Sequence, residues 1–379
     1  MESVDVCIIG GGIAGASVAY HLAPYARVLL LEREAQVGYH STGRSAALYA
    51  PQYGSPVIRR LTAASGPFFQ SPPAGLVAAP LLTERGFMTI GRDEQRAALE
   101  RHEAVARASG QTPQRITPRE ACARVPVLRP EATGWALFDP TAQDLDVEAL
   151  LQGLLRGARA HGARVVTAHG VDALERAGGD WRVGGPGLEI RAAVVVNAAG
   201  AWADELAAVA GVAALGLVPH RRTAFIFDSP PGVTAAGWPM VSDGDELFYF
   251  KPDAGRLLGS LAEEAPSPPV DAQPDEVDVA IAVDRIEQVV DFSIRRVLRA
   301  WTGLRVFGSD RDPVSGFEPG TPGFYWHAAL GGYGIQTAPA LGEFAAARIL
   351  GRELPVALAD CGLGPAQLAP ERLRVATAG

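Results

Sequence analysis

Three glycines near the start of the chain, Gly10, Gly12 and Gly15, limit what it can fold into more than any other feature. Residues 4–9 read as a buried strand, residues 10–15 as a turn, and residues 13–22 as a helix that stops near Pro24. Residues 27–31 form a second apolar strand ending at Glu32, which completes one βαβ unit. Within Gly10-Gly11-Gly12-Ile13-Ala14-Gly15, Gly10 permits a tight turn and Gly12 lets the backbone touch a pyrophosphate. Gly15 lets the helix pack closely on the strand, and the helix N-terminus faces the phosphate charge. A carboxylate at Glu32 accepts both hydroxyls of a ribose and repels a 2′-phosphate, which disfavours NADP. The glycine spacing alone also describes a plain turn. Strand, helix and acidic residue together predict a dinucleotide site.

No second unit of this kind follows. Residues 38–54 are irregular and rich in Gly, Ser, Tyr and Arg, and Pro51, Pro56, Pro67, Pro72, Pro73 and Pro80 punctuate the chain up to a strand at 86–90. Helical patterns cover 92–108 and 118–123, the latter capped by Thr117. Asp146 caps a helix over 147–160 that Gly162 stops, and strands are expected at 163–168 and 192–197. Alternating segments at 222–227, 247–251 and 256–260 predict antiparallel strands, and residues 262–276 a solvated loop. A last strand at 324–330, a turn at 331–334 and a closing helix at 337–350, with Pro339 in its first turn, complete the pattern. The nucleotide-type layer is therefore discontinuous.

The 379 residues suit two or three domains. With 34 basic and 42 acidic residues the net charge is −8, which gives no electrostatic case for a nucleic-acid partner and is compatible with a monomer. Cys7, Cys122 and Cys361 lie far apart, in neither a disulfide nor a metal-binding spacing, so no metal is expected and a reducing compartment fits. No run of 18 apolar residues occurs, and residues 4–22 fail as a signal peptide. Glu2 and Asp5 replace its basic region, and three glycines interrupt its apolar run. A cytoplasmic location is expected.

Two further segments offer backbone donors. Ser41-Thr42-Gly43-Arg44-Ser45-Ala46-Ala47 follows the acidic residue where a nicotinamide-binding domain continues with more βα units; it suits a long ligand, or else is a polar surface loop. Gly331-Gly332-Tyr333-Gly334-Ile335-Gln336-Thr337 precedes a helix whose N-terminus can face the negative charge of a reduced flavin, or else is a glycine-rich turn. Three such elements favour FAD over NAD.

These segments, with Asn197-Ala198-Ala199-Gly200-Ala201-Trp202, stand in the order of the FAD-dependent D-amino-acid oxidase/dehydrogenase superfamily, which the chain resembles over nearly its whole length. Within it the resemblance is greatest to the bacterial FAD-dependent D-arginine dehydrogenases, through residues 32–36, 38–47, 222–227, 251–255 and 331–337. The resemblance implies an α/β fold. A discontinuous Rossmann-like FAD-binding domain (1–48, 142–218, 302–379) carries an inserted substrate domain of mostly antiparallel β-sheet plus helices (49–141, 219–301), D-amino-acid oxidase-like. The flavin is expected to be held noncovalently, since Val306-Phe307-Gly308 stand where monomeric sarcosine oxidases carry a tethering cysteine. Cofactor contacts are implied for Gly10, Gly12, Ile13, Ala14, Gly15, Glu32 and Arg33, and for Ser41, Thr42, Arg44, Ser45, Ala46, Ala47 and Leu48. Val171 (at the adenine end), Ala199, Gly200, Trp202, Gly331, Gly332, Tyr333, Gly334, Ile335 and Gln336 complete that set.

For the substrate, Trp301-Thr302-Gly303-Leu304-Arg305 resembles the segment whose arginine holds an amino-acid carboxylate in two parallel hydrogen bonds. Tyr249 looks like its hydroxyl partner, Arg222 is a second candidate, and Tyr53 resembles the tyrosine that covers the substrate. Surface ion pairing for the arginines and core packing for the tyrosines are the alternatives. The side-chain pocket is expected from Phe87, Leu48, Ala50, Met240, Gly332 and Ile335. Relatives selective for D-arginine carry Glu, His and Thr where this chain has Phe87, Leu48 and Ala50, so a pocket for neutral, mostly apolar side chains is expected. The implied activity is oxidative deamination of D-amino acids by hydride transfer from Cα to flavin N5. It gives an imino acid and then a 2-oxo acid and ammonia, with oxygen or a quinone-type carrier as acceptor. Oxidation of sarcosine, glycine or another secondary amine is the enzymatic alternative, and a non-catalytic flavin-binding protein a further one.

Overall fold

The computed structural model describes residues 2–375. The strand Glu2–Ile9, the helix Ile13–Leu22 and the strand Val28–Leu31 form the expected βαβ unit, the two strands pairing in parallel from Val6 opposite Val28 to Ile9 opposite Leu31. Where they pair, over residues 6–9 and 28–31, both strands are buried on both faces and continuously apolar. The strand Leu188–Asn197 joins the other side of Glu2–Ile9, and Phe324–Ala328 joins Leu188–Asn197, both in parallel. The late strands thus return to the first unit, as the discontinuous layer predicted. The helices Val147–Ala160, capped by Asp146, and Gly334–Ile349 pack on Ile13–Leu22. Contact with the latter is close. A Cβ at Gly342 would lie 2.0 Å from the Ser17 Oγ, whose hydroxyl donates to the Ala338 carbonyl at 2.5 Å.

A second eight-stranded sheet runs from Val297–Phe307 through Val218–Phe227, Arg256–Ser260, Tyr249–Asp253, Met240–Asp243, Phe87–Gly91 and Trp135–Asp139 to Gln114–Ile116. Strand alternation gives it two different faces. Met88, Ile90, Ala136, Phe225, Phe227, Val241 and Phe250 point into a core closed by the helix Glu276–Glu287. Their neighbours in sequence point the other way, toward the first sheet.

Several elements depart from the sequence reading, among them the strands Trp135–Asp139, Met240–Asp243, Val297–Phe307 and Val314–Phe317, which carried no expectation. The proline-punctuated stretch contains the helix Pro56–Gln70: Pro56 occupies its first turn behind the Ser55 cap, where no N–H is needed, and Pro67 lies in its last turn. The hairpin Ala173–Ala177 with Asp180–Gly185 was not expected. The helix Glu276–Glu287 starts on the Asp275 cap directly after the solvated loop. The closing helix begins at Gly334 rather than at residue 337. Val297–Phe307 also pairs along its length with Val218–Phe227, so residues 302–307, expected with the FAD-binding segments, lie in the second sheet. Among the described residues no helix is long and apolar enough to cross a membrane.

Candidate active site

The two sheets enclose a cleft of about 480 Å³. Its floor is built by the first sheet. Ile9, Asn197 and Trp326 are in register, so the next residues, Gly10, Ala198 and His327, form one row at the carboxyl ends of parallel strands, where open α/β sheets bind their ligands. Gly10 has φ +117°, and a Cβ there would lie 2.2 Å from the Ala198 carbonyl oxygen; a Cβ at Gly15 would lie 2.0 Å from the Gly10 carbonyl oxygen. Gly15 does not border the cleft. Its role is the helix–strand contact.

Glu32 is buried and bridges the loops around it. Its Oε2 accepts the Gly11 N–H at 2.7 Å and its Oε1 the Glu34 N–H at 2.9 Å. The Thr42 hydroxyl oxygen accepts the Ile13 N–H at 3.0 Å, which ties residues 41–47 to the helix N-terminus. On its other side that segment is bolted to the second sheet. Ser41 donates to the Leu304 carbonyl at 2.6 Å, and Arg44 donates to the Thr302 and Ala272 carbonyls at 2.8 and 3.1 Å and to Asp271 at 2.5 Å. The Arg44 guanidinium is thus occupied within the protein and stiffens the segment. Ser45, Ala46, Ala47 and Leu48 line the cleft between these anchors. At the far end Arg33 lies 3.7 Å over the Trp202 ring, and Val171, Ala199 and Gly200 line the same end.

The third donor element borders the cleft through Gly331, Gly332, Gly334, Ile335 and Gln336. Tyr333 does not; its ring packs at 5.2 Å on Tyr53 instead. The helix starting at Gly334 has no acidic residue in its first turn to neutralise its N-terminus. Gln336 Oε1 accepts the Ala50 N–H at 3.1 Å, whereas its Nε2 is buried with no partner.

The opposite wall is the other face of the second sheet. Arg305 and Gly303, Arg222 and Ala224, Tyr249, Met240 and Ser242, Phe87 and Thr89, and Leu137 and Asp139 all line the cleft. Leu48, Ala50 and Tyr53 line it as well. The Arg305 side chain is only 19% exposed, makes no hydrogen bond, and has one ion pair among the described residues, at 3.9 Å to Glu264. Burial works against its charge, but the surrounding oxygens of Tyr53, Tyr249, Tyr333 and Glu264 outweigh it and hold its pKa above the ordinary arginine value. A Cβ at Gly332 would lie 2.6 Å from the Arg305 Cζ, so this glycine makes room for the guanidinium. Arg222 is differently placed: it donates to the Glu263 carbonyl at 2.9 Å and to Glu264 at 3.3 Å, which commits it to the loop.

Phe87 pairs across the strands with both Met240 and Asp139. The apolar side-chain pocket expected from the sequence is not uniformly apolar. Thr89, Ser242 and His102 line it, and so does Asp139, whose Oδ1 accepts the Thr141 N–H at 2.8 Å and hydroxyl at 2.6 Å while its Oδ2 is buried without a partner. Alternation from Phe87 could have flagged Thr89. Asp139 lies on a strand that carried no such signal.

An elongated cleft with glycine-built approaches at one end, a buried acidic residue beside them and an unpartnered amide donor beside a bare helix N-terminus fits a flavin dinucleotide, and a buried guanidinium without a hydrogen-bond partner faces it. Fold and site define a flavoprotein oxidoreductase. Residues 5–348 match the family described as FAD dependent oxidoreductase (DAO), and the chain belongs to that family. It is 26% identical over 408 residues to the FAD-dependent oxidoreductase domain-containing protein 1 of Bos taurus, covering 92% of this chain and 82% of that one. Its fold is similar to that of a glycine oxidase from Geobacillus kaustophilus (TM-score 0.82, 24% identity, covering 96% of this chain and 99% of the other). It is also similar to an L-proline dehydrogenase from P. horikoshii (TM-score 0.80, 23% identity, 99% of each chain).

Proposed function

We propose that the protein oxidises the Cα–N bond of free amino acids of D configuration, with a preference for neutral side chains. The observation that carries this reading is Arg305: a buried guanidinium without a hydrogen-bonded partner, open to the flavin cleft. A buried charge without a hydrogen-bonded partner is costly, and a carboxylate offers it two parallel hydrogen bonds. Tyr249, on the same wall, supplies a hydroxyl to that carboxylate, and Tyr53 covers it. Bound FAD supplies the hydride acceptor. The chain's own work is to fix the carboxylate and so aim Cα, and to keep water from the cleft. Both structural relatives are named for α-amino acids, the class a guanidinium fits.

Neutral side chains are favoured because position 87 carries a phenyl ring, paired across the strands with Met240, where relatives selective for D-arginine carry a glutamate. Anaerobic bleaching of the flavin bands tests the proposal. D-leucine and D-phenylalanine are expected to reduce the flavin with kcat/KM at least about tenfold above D-arginine, the scale that one misfitting group in a pocket produces, and their L-enantiomers not to reduce it. Reduction by glycine, sarcosine or L-proline alone would reassign the substrate. Preferred reduction by D-arginine or D-lysine would move the side-chain assignment to Asp139, whose free Oδ2 can accept from a cation. Tyr249→Phe is expected to raise KM and lower kcat/KM about tenfold or more, the worth of one hydrogen bond to a charged group.

A further inference from the structure

The strand Phe324–Ala328 sends Phe324, Trp326 and Ala328 to one side of the first sheet and Tyr325 and His327 to the other, toward the helices Ile13–Leu22 and Gly334–Ile349. Ser315, on the neighbouring antiparallel strand Val314–Phe317, lies opposite His327. All three polar side chains are buried. The Ser315 Oγ is 2.9 Å from the Tyr325 hydroxyl and 3.1 Å from the His327 Nδ1. His327 borders the cleft, and its Nε2 has no partner.

Hydrogen counting fixes the direction of this chain. Among the described residues the Tyr325 O–H has no acceptor other than Ser315, so it donates there. The single Ser315 hydrogen then goes to the His327 Nδ1, which must be bare. Nε2 therefore carries the hydrogen and is an unmet donor. With Nδ1–H donating to Ser315 instead, the Nε2 lone pair and either the Tyr325 or the Ser315 hydrogen would both be unsatisfied, at a higher cost. Burial also holds the His327 pKa down to about 3, so the ring is neutral.

His327 stands in the register row of Gly10 and Ala198, two strands from the glycine turn whose helix N-terminus receives a diphosphate. We propose that the His327 Nε2–H donates a hydrogen bond to an oxygen of the ribityl–diphosphate bridge of bound FAD, with Ser315 and Tyr325 as positioning residues that lock its tautomer. The inference rests on FAD binding alone, not on the choice of substrate.

Titration of the apoprotein with FAD, followed by quenching of flavin fluorescence, tests it without turnover. His327→Val is expected to weaken FAD binding roughly ten- to a hundredfold, the range for a hydrogen bond to a charged or strongly polarised oxygen. Ser315→Ala is expected to weaken it less, because the donor remains but its tautomer is no longer imposed. In the ¹⁵N-labelled wild-type protein the His327 ring should show a protonated Nε2 and a bare Nδ1, with the Nε2–H resonance shifting on FAD addition. Wild-type affinity in His327→Val, or a protonated Nδ1 in the holoprotein, overturns the proposal. Should His327→Val fail to fold, the Ser315→Ala titration and the wild-type ring spectrum decide it.

Discussion

Replacing Arg305 by Met is expected to lower kcat/KM for the amino-acid substrate by roughly 10²- to 10⁴-fold while leaving bound FAD in place. The magnitude follows from what the substitution leaves behind: a substrate carboxylate inside the cleft with no cation, a loss of about 3–5 kcal/mol when one partner of a buried pair is removed. Tyr249 can still donate to that carboxylate, but a phenol offers one neutral hydrogen bond where the guanidinium offers two charged ones. Arg305→Lys should recover little, because an ammonium is a point charge without the planar fork that orients Cα. Stability gives an independent check of sign. Arg305 makes no hydrogen bond, and its ion pair to Glu264 is stretched to 3.9 Å, so the ligand-free variant should melt no lower than the wild type. A structural arginine would behave in the opposite way, with a lowered Tm and nearly unchanged flavin reduction. Stopped-flow reduction under anaerobic conditions, with flavin content measured on the same samples, separates the two.

How far the site could be read from the chain depended on whether its parts are local. The glycine turn, Glu32 and the two later donor segments are each set by a few consecutive residues whose types backbone geometry dictates, and the structure gathers them around one cleft. The helix Pro56–Gln70 was hidden because prolines signal breaks unless they fall in an end turn, and that depends on the Ser55 cap being used. Side-chain duties were harder still. Nothing in the order of residues reveals that Arg44 is consumed by Thr302, Ala272 and Asp271, or that Arg222 faces the loop at Glu263 and Glu264. Those partners are hundreds or tens of residues away, and the pairing of Val218–Phe227 with Arg256–Ser260 is what carries Glu263 and Glu264 to Arg222. Asp139 and the chain from Tyr325 to His327 likewise arise from neighbouring strands, whose register no single segment encodes.

Gly10→Ala and Gly12→Ala are expected to fail in different ways, although the two glycines are one residue apart. At Gly10 the backbone has φ +117°, a region that L side chains rarely adopt, and the new Cβ would meet the Ala198 carbonyl oxygen at 2.2 Å and its carbon at 2.7 Å. Those atoms cannot yield cheaply. They belong to the row where the Ala198 N–H donates to the Ile9 carbonyl at 2.9 Å, in the centre of the parallel sheet. Backbone strain and overpacking each cost about 1–3 kcal/mol, and together they take up a large part of a domain's net stability of about 5–15 kcal/mol. Gly10→Ala should therefore lose folded protein, seen as a Tm drop or insolubility even with excess FAD. At Gly12 the φ is ordinary, and the nearest atom to a new Cβ is the Thr42 hydroxyl oxygen at 3.2 Å, the end of a side chain that can give. That methyl projects instead where a diphosphate must approach the helix N-terminus. Gly12→Ala should fold with a near-normal apoprotein Tm yet bind FAD far more weakly, and its Tm should no longer rise as FAD is added. Equal FAD affinity in Gly12→Ala and the wild type would mean that the dinucleotide does not cross this turn, and the reading of the cleft built on it would fall.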